Sequence, residues 1–305
     1  MSAGHLTVIA NPAAGRGKSA RLVPEVHRLL EEMGLEHRMQ ISEGPDEPER
    51  LAKEAALSGS DVVVALGGDG LAGMIANGLI GTDAAMAVVP GGNGNDFSRS
   101  LGLDRKRPLD ALRLLADPHL IDVDAVLVTT SEATRHYVNV AGAGFDSEVN
   151  ETANGMDTRL TGTARYIAAV FRTLRSFTPA DLEIAVDDRP HSVRAMFVAL
   201  GNGRSYGGGM RVCPEASVID GMLDVVIVEA LSRGAFLRAF PKVFRGSHLN
   251  HPKVRMLRAG RVTIEANRRV QVYADGERVG SLPAIFEVLP GALSAVVGTE
   301  ARAIR

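Results

Sequence analysis

Short apolar runs alternate with amphipathic segments through the first third of the chain. β-Branched runs that stop at glycine predict buried strands, and apolar residues three and four positions apart predict helices. The predicted strands are 6–10, 36–41, 61–65 and 85–89, and the predicted helices are 19–33, 47–57, 71–79 and 109–115. This rhythm indicates a doubly wound α/β domain, with a parallel sheet between two helical layers.

From about residue 122 the pattern changes to short, closely spaced strands. These are predicted at 137–140, 182–186, 192–201, 223–228, 261–265 and 269–273, with helices only at 161–176 and 232–244. A run of strands after an α/β half predicts a separate β-rich domain. We therefore expect a first domain over 1–122 and a second over 123–290, with the last strand, 292–297, returning to the first domain and bringing 291–305 with it.

Composition narrows the class of protein. The chain has 305 residues, 45% of them apolar and 23% charged, with a net charge of −2. That balance is typical of a soluble globular protein and gives no overall attraction to nucleic acid. One cysteine, Cys213, fits a reducing cytoplasm and a buried apolar role. No run is long enough for a signal peptide or a membrane span, so membrane contact is expected only at the surface.

Two glycine-rich turns follow consecutive predicted strands. Residues 66–70 read Leu-Gly-Gly-Asp-Gly, and residues 90–97 read Pro-Gly-Gly-Asn-Gly-Asn-Asp-Phe. Parallel strands end at one edge of a sheet, so both turns are expected to face the same crevice. Glycine lets backbone N–H groups approach a phosphate, and aspartates beside a phosphate require a bridging Mg²⁺. The turns predict a nucleotide phosphate and a metal ion; a tight turn with an Asx hydrogen bond is the plainer alternative.

A third turn follows the first strand and reads Asn11-Pro12-Ala13-Ala14-Gly15-Arg16-Gly17. By itself it is equally well explained as a structural β–α turn. Arg16 and Lys18 would favour a phosphate contact there.

Together, these turns resemble the diacylglycerol kinase and sphingosine kinase superfamily, in particular its bacterial soluble lipid kinases. The resemblance extends nearly end to end. Its further elements are Gly142-x-Gly144-Phe145-Asp146, Gly207-Gly208-Gly209, Asp220-Gly221-x-Leu223-Asp224 and Asp275-Gly276-Glu277. It implies ATP- and Mg²⁺-dependent phosphorylation of a lipid hydroxyl, most simply that of diacylglycerol. It also implies a Rossmann-like nucleotide domain, a β-sandwich-like domain and an active site in the cleft between them.

The resemblance also implies roles for individual residues. Glu277 matches the catalytic base, and Asp69 matches the acid that organises Mg²⁺ and phosphates. Nucleotide contacts are implied for Asn11, Arg16, Ser42, Gly67, Gly68, Asp69, Gly70, Asn93 and Asp96. A structural Mg²⁺ site is implied for Ser217, Asp220 and the carbonyl of Met222. From spacing alone, Glu277 and Asp220 are better explained as residues of Asp-Gly hairpin turns.

This chain departs from the family pattern at three positions near the expected phosphates. Leu71 follows Gly70 where the family has threonine, Asn93 replaces a threonine, and Ala14 replaces a serine. Asn93 can still donate a hydrogen bond, whereas Leu71 and Ala14 cannot. A catalytically weak or inactive nucleotide- or lipid-binding homologue is therefore one alternative. An NAD kinase, a class with a similar glycine turn, is a less favoured one.

Two stretches suggest contact with an anionic membrane surface. Helix 161–176 is expected to place Ile167, Val170, Phe171 and Leu174 on one face. Between Glu229 and Glu265 the sequence has no acid but eight Arg or Lys residues: Arg233, Arg238, Lys242, Arg245, Lys253, Arg255, Arg258 and Arg261. Such cations can dock on lipid headgroups. The alternative is a core-facing helix and a solvated basic face. The expected lipid is diacylglycerol or a sphingoid-type molecule, and a homodimer is left open.

Overall fold

The structure, a computed structural model, describes residues 4–44, 47–157, 160 and 162–298. Thr161, the expected first residue of helix 161–176, lies outside them. The chain divides into two compact units, Met1–Ala125 with Pro290–Arg305, and Val126–Leu289.

The first part of the chain alternates strands and helices as the sequence predicts. In order it forms β1 (Leu6–Ala10), α1 (Lys18–Glu32), β2 (His37–Ile41), α2 (Glu47–Leu57), β3 (Val62–Gly67), α3 (Asp69–Leu79), β4 (Ala85–Pro90), α4 (Asp96–Ser100) and α5 (Asp110–Arg113). Single 3₁₀ turns occupy Ala14–Arg16 and Leu114–Ala116.

The rest of the chain is rich in strands. It forms β5 (Leu120–Thr130), β6 (Thr134–Tyr137), β7 (Val140–Gly144), α6 (Phe145–Gly155), α7 (Gly162–Leu174), β8 (Ala180–Val186), β9 (Arg189–Gly201), β10 (Leu223–Glu229), α8 (Arg233–Ala239), β11 (Val254–Ala259), β12 (Arg261–Ala266), β13 (Gln271–Ala274), β14 (Glu277–Ser281) and β15 (Ala284–Val296). The 3₁₀ segments Phe240–Arg245 and Ser247–Asn250 follow α8.

The sheet of the first unit is parallel, in the order β2-β1-β3-β4, and the end of β15 pairs in parallel with β4. Its register aligns the strand ends, because Ala10 pairs with both Ile41 and Leu66, and Leu66 pairs with Val89. The glycine-rich turns that follow β1, β3 and β4 therefore begin at one edge of this sheet.

The second unit is built from antiparallel strands, with β9 pairing with β7, β8 and β10. Strand β9 buries both of its faces. Val198 and Leu200 belong to one apolar core, and Met196 and Ala199 belong to another that also contains residues of α6, α7 and α8. This double burial explains why β9 ends in an uninterrupted apolar run. The predicted fold class, a Rossmann-like domain followed by a β-sandwich domain, is confirmed.

Some elements of the second unit were not predicted. Helix α6 has a polar sequence with few apolar positions, and β11 lies within the stretch interpreted as a basic face. Helix α7 buries Tyr166, Val170 and Leu174, but Phe171 is 51% exposed. Of the residues expected on one face of this helix, Val170 and Leu174 therefore belong to the core, and Phe171 faces solvent.

Candidate active site

The three glycine-containing turns of the first unit bond to one another. The N–H of Asn11 donates to the carbonyl of Leu66 at 3.3 Å. The N–H groups of Gly91 and Gly92 donate to the carbonyl of Gly67 at 2.8 and 3.0 Å. The ends of β1, β3 and β4 are therefore held together by backbone hydrogen bonds, as their shared sheet edge requires.

Glycine is needed at these turns because their backbones approach closely. A Cβ on Gly92 would overlap the Cα of Gly68, and one on Gly15 would overlap the carbonyl oxygen of Gly91. Gly15 also has a φ of 61°, which favours glycine. The turns therefore leave no room for side chains between them.

Asp69 and Asp96 form an acidic pair beside Gly94. A Cβ on Gly94 would overlap Oδ2 of Asp69 and lie 3.4 Å from Oδ2 of Asp96. The N–H of Phe97 donates to Oδ1 of Asp69 at 3.0 Å, and Arg99 forms an ion pair with Oδ1 of Asp96. One oxygen from each carboxylate therefore faces the space beside Gly94, and the arginine neutralises only one carboxylate.

The environment of Asp69 disfavours its negative charge. Burial, followed by the nearby charge of Asp96, raises the pKa of Asp69 from 3.8 to about 6, although backbone N–H donors oppose the shift. Asp96 itself is only 1% exposed. Two carboxylates this close are expected to recruit a cation.

This donor set fits Mg²⁺ bound together with a nucleotide. Mg²⁺ is commonly held by one or two carboxylates and completed by substrate phosphates and water. Within residues 4–44, 47–157, 160 and 162–298, no group of three or more His, Cys, Asp or Glu side chains could hold a metal ion. Asp69 and Asp96 would therefore need phosphate oxygens to complete the coordination.

Asn95 is a site residue to which the sequence interpretation assigned no role. It has a left-handed φ of 54°, a conformation that asparagine tolerates. Its side chain accepts from the N–H of Gly92 at 3.0 Å and donates to the carbonyl of Gly92 at 2.9 Å. Asn95 thus closes the turn and sets the backbone from which Asp96 projects. An asparagine inside a glycine turn was the available signal.

The other predicted nucleotide residues also lie at the carboxyl edge of the first sheet. Asn11 accepts from the N–H of Ala13 at 3.0 Å and so forms an Asx turn. Arg16 and Asn93 are exposed, and Ser42 is buried directly after β2, with its N–H bonded to the carbonyl of Ala10. The structure brings Asn11 and residues 67–70 together with 91–96, and it places Ser42 at the neighbouring strand end.

Leu71, which occupies the family's threonine position, is part of the core. It is 5% exposed, and a Cβ on Gly67 would lie 2.5 Å from Cδ2 of Leu71. Its side chain packs against Gly67, under the glycine turn of residues 66–70. The family's hydroxyl is thus replaced by an apolar support for the loop.

In the second unit, Glu277 is exposed and begins β14 after a tight hairpin turn. Asp275 and Gly276 have φ values of 49° and 88°, as a type I′ turn requires. The carboxylate of Asp275 accepts from the N–H groups of Val138, Asn139 and Val140 at 2.9–3.1 Å. Asp275 therefore anchors the hairpin to the start of β7 and fixes the backbone that carries Glu277.

Asp220 of the predicted structural Mg²⁺ site already has partners. Its Oδ1 accepts from the N–H of Met222 at 3.1 Å, and its Oδ2 forms an ion pair with Arg258. The Nε of Arg258 also lies 3.3 Å from Oδ1 of Asp224, which is 1% exposed. The guanidinium of Arg258 thus pairs with an oxygen of Asp220 that a metal ion would otherwise use. The second metal site stays a prediction.

The second unit also contains a small apolar cavity next to α6, α7 and α8. Its volume is about 60 Å³. Its lining includes Phe145, Tyr166, Tyr206, Met210, Phe236 and Phe240. Burial raises the pKa of the neighbouring Asp146 to about 7, and that side chain packs directly on Gly142. The motif around Gly142 and Asp146 thus lies next to this apolar layer.

Comparisons with known proteins agree with this arrangement. Residues 5–128 match the diacylglycerol kinase catalytic domain, and residues 139–297 match the YegS C-terminal NAD kinase beta sandwich-like domain. A diacylglycerol kinase of Mycobacterium tuberculosis (strain ATCC 25618 / H37Rv) is 32% identical over 95% of this chain and 94% of its own length. The chain belongs to the diacylglycerol kinase family. The predicted class of enzyme, a lipid kinase of this family, is thereby confirmed.

Further relatives of the family cover the same extent. A diacylglycerol kinase of Bacillus subtilis (strain 168) is 29% identical over 92% of this chain and 91% of its own length. A crystal structure of a diacylglycerol kinase from Bacillus anthracis str. Sterne has a TM-score of 0.73 at 23% identity, covering 97% of each chain. Another structure from that organism reaches 0.80 at 24% identity, covering 98% of this chain and 97% of its own. These structures support the fold. In the described part of the chain, no helix is long and apolar enough to cross a bilayer.

Proposed function

We propose that this protein transfers the γ-phosphate of ATP to the hydroxyl of diacylglycerol and thereby forms phosphatidic acid, with Mg²⁺ as the required ion. The observation that carries the proposal is the acidic pair, Asp69 and Asp96, set between glycine turns at the carboxyl edge of a parallel sheet. This is where nucleotides bind in open α/β sheets. The relatives named diacylglycerol kinase support the choice of lipid.

The first domain would hold the nucleotide. Backbone N–H groups of residues 67–70, 93 and 94 would contact phosphate oxygens, and the side chain of Asn93, which is exposed, would donate one further hydrogen bond. Asp69 and Asp96 would hold Mg²⁺, which neutralises charge on the transferring phosphoryl group when bound. The positive charge of the ion would also offset the repulsion between the two carboxylates.

Glu277 would act as the general base. Its carboxylate would accept the proton of the lipid hydroxyl as that oxygen bonds to the γ-phosphorus, while the bond from phosphorus to the leaving oxygen of ADP breaks. The exposed position of Glu277 and the anchoring of its hairpin by Asp275 support this role. A base held on a fixed hairpin retains its orientation between turnovers.

The second domain would meet the lipid from the membrane surface. Arg238, Lys242 and Arg245 are exposed, and Leu237 and Phe244 beside them are exposed apolar side chains. Cations with apolar neighbours favour an anionic lipid surface. Other members of the basic stretch are used within the fold: Arg233 and Lys253 bond to carbonyls, and Arg255 and Arg258 form ion pairs.

The buried side chain of Leu71 favours one alternative, in which the protein binds ATP but catalyses phosphoryl transfer only weakly. A hydroxyl at this position is missing, and its place is taken by core packing. We prefer the active kinase because Asp69, Asp96 and Glu277 are all present.

The proposal is tested by incubating the full-length protein with labelled ATP, Mg²⁺ and a panel of lipids in mixed micelles. The panel holds diacylglycerol, ceramide, a sphingoid base and phosphatidylglycerol, with NAD as a separate acceptor. Mass spectrometry identifies each product. We expect labelled phosphatidic acid, and none with Asp69→Asn. Label on another lipid would change the substrate, label on NAD would indicate an NAD kinase, and ATP binding without product would favour the weak homologue.

A further inference from the structure

The first unit contains a cavity that lies outside the acidic pair and the glycine turns. It has a volume of about 540 Å³ and is formed by the end of α4, the loop that follows it and the beginning of α5. Its lining includes Arg99, Leu103, Asp104, Arg105, Lys106, Arg107, Asp110 and Gly298. The cavity is polar and open to solvent, unlike the apolar cavity of the second unit.

The acidic side chains of this cavity are already engaged. Asp110 pairs with Arg113 and lies 3.9 Å from Arg107. Asp104 accepts from the N–H of Lys106 at 2.8 Å and so shapes the loop. Among the described residues that line the cavity, Asp104 is thus the one carboxylate whose charge no ion pair balances.

The cations of this cavity outnumber its unpaired carboxylates. Arg105 and Lys106 are exposed and form no ion pair with any residue that the structure describes. Arg99 adds a planar guanidinium that is only 29% exposed and that uses Nη1 to bond Asp96. Its remaining N–H groups have no partner within the described ranges. Arg99, Arg105 and Lys106 thus all line one concave surface.

We propose that this cavity binds a phosphate-bearing anion, with Arg105 and Lys106 supplying charge and Arg99 supplying the guanidinium fork. Phosphate oxygens match a guanidinium in bidentate fashion, and lysine adds a point charge. The phosphate belongs either to a free ion or to a lipid headgroup, since both present the same oxygens. Because Arg99 also bonds Asp96, the site is linked by one side chain to the acidic pair.

The first test is calorimetric titration of the full-length protein with inorganic phosphate, without ATP and at constant ionic strength. The test variant is R105A/K106A, and the matched control is R38A/K53A, which removes one arginine and one lysine from other exposed positions of the same domain. We expect phosphate to bind at least tenfold more weakly to the test variant, with binding to the control within twofold of wild type. Phosphate contacts at the glycine turns are common to all three proteins.

The second test separates the sources of the phosphate. Phosphatidylcholine vesicles with and without phosphatidic acid are sedimented with each protein. Loss of binding to phosphatidic acid vesicles in R105A/K106A, with unchanged phosphate titrations, would assign the site to a lipid headgroup. If the test variant behaves like the control toward both probes, or wild type binds neither probe, the proposal is wrong. Neither test measures turnover, so failure here is distinguishable from failure of the kinase proposal.

Discussion

The protein contains two pairs of neighbouring aspartates that differ in how their charge is balanced. In the first domain, Arg99 pairs only with Asp96, and Asp69 has backbone N–H partners but no ion pair with a basic residue of the described chain. In the second domain, Arg258 contacts both Asp220 and Asp224. Each pair has one arginine for two carboxylates, but in the first pair Asp69 has no ion pair, whereas in the second pair one guanidinium contacts both carboxylates.

This difference separates a candidate reaction centre from a structural support. A buried carboxylate that has no ion pair gains most from an added metal ion. Two carboxylates that contact one guanidinium already share a cation. Both motifs look alike in the sequence, because each is an aspartate beside a glycine. The residue that distinguishes them, Arg258, lies on β11, outside both motifs.

Asp69→Asn is expected to have the largest effect and to abolish kinase activity. It removes one of the two carboxylates that would hold Mg²⁺, while keeping the size and the N–H acceptor of the side chain. Turnover of labelled ATP with diacylglycerol is the measurement. The control is Asp83→Asn, an exposed aspartate of the same domain. Activity close to wild type in Asp69→Asn would reduce Asp69 to a turn residue.

The stability of Asp69→Asn relative to wild type is also expected to depend on pH. The pKa of Asp69 is raised from 3.8 to about 6, so the stability associated with its protonated form is present below about pH 4 and lost as the pH rises through 6. Asparagine carries no charge at either pH. The Tm of Asp69→Asn relative to wild type should therefore increase between pH 4 and pH 6.5 in Mg²⁺-free buffer. A Tm difference that stays constant over this range would mean that the pKa of Asp69 is not raised.

Glu277→Gln should lower turnover by roughly two to four orders of magnitude, as expected for loss of a general base. ATP affinity and Tm should change little, because Glu277 is exposed and its hairpin is held by Asp275. Steady-state kinetics on the purified variant measure the effect. Glu265→Gln, at an exposed carboxylate of β12, is the matched control. Equal rates for the two variants would leave Glu277 as an ordinary hairpin residue.

Arg258→Ala should destabilise the protein by roughly 1–3 kcal/mol, since it leaves the buried Asp224 without its cation and Arg258 is itself half exposed. Thermal unfolding measures the loss, with Arg261→Ala as the control for an exposed arginine nearby. Added Mg²⁺ should restore part of the Tm only in Arg258→Ala. If Mg²⁺ instead raises the Tm of wild type and this increase is absent in Asp220→Ala, the result would confirm the metal site expected from the family resemblance.

Leu71→Thr is expected to have the smallest effect. A hydrogen bond to a charged phosphate contributes roughly 1.5–3 kcal/mol, so ATP affinity should rise about tenfold, while lost burial against Gly67 costs about 1–3 kcal/mol of stability. Calorimetry and thermal unfolding separate the two effects. Leu79→Thr, a buried leucine at the other end of α3, should show only the second. Unchanged ATP affinity would mean that the phosphate does not pass Leu71.

The sequence was most informative where local pattern and tertiary structure agree. The strands and helices of the first domain follow from their periodicity, and the meeting of the glycine turns follows from the rule for parallel strands. The partners of Arg258 and of Asp275 could not be predicted, because each joins segments that are distant in sequence. The burial of Leu71 likewise depends on the position of Gly67 relative to the helix that follows it.

The most direct test is to locate the metal ion that binds together with ATP. Mn²⁺ replaces Mg²⁺, and its binding with ATP is followed by electron paramagnetic resonance in wild type, Asp69→Asn and Asp220→Asn. We predict that ATP-dependent Mn²⁺ binding is lost in Asp69→Asn and retained in Asp220→Asn. Retention in Asp69→Asn together with loss in Asp220→Asn would contradict the assignment of the acidic pair in the first domain as the metal and nucleotide site.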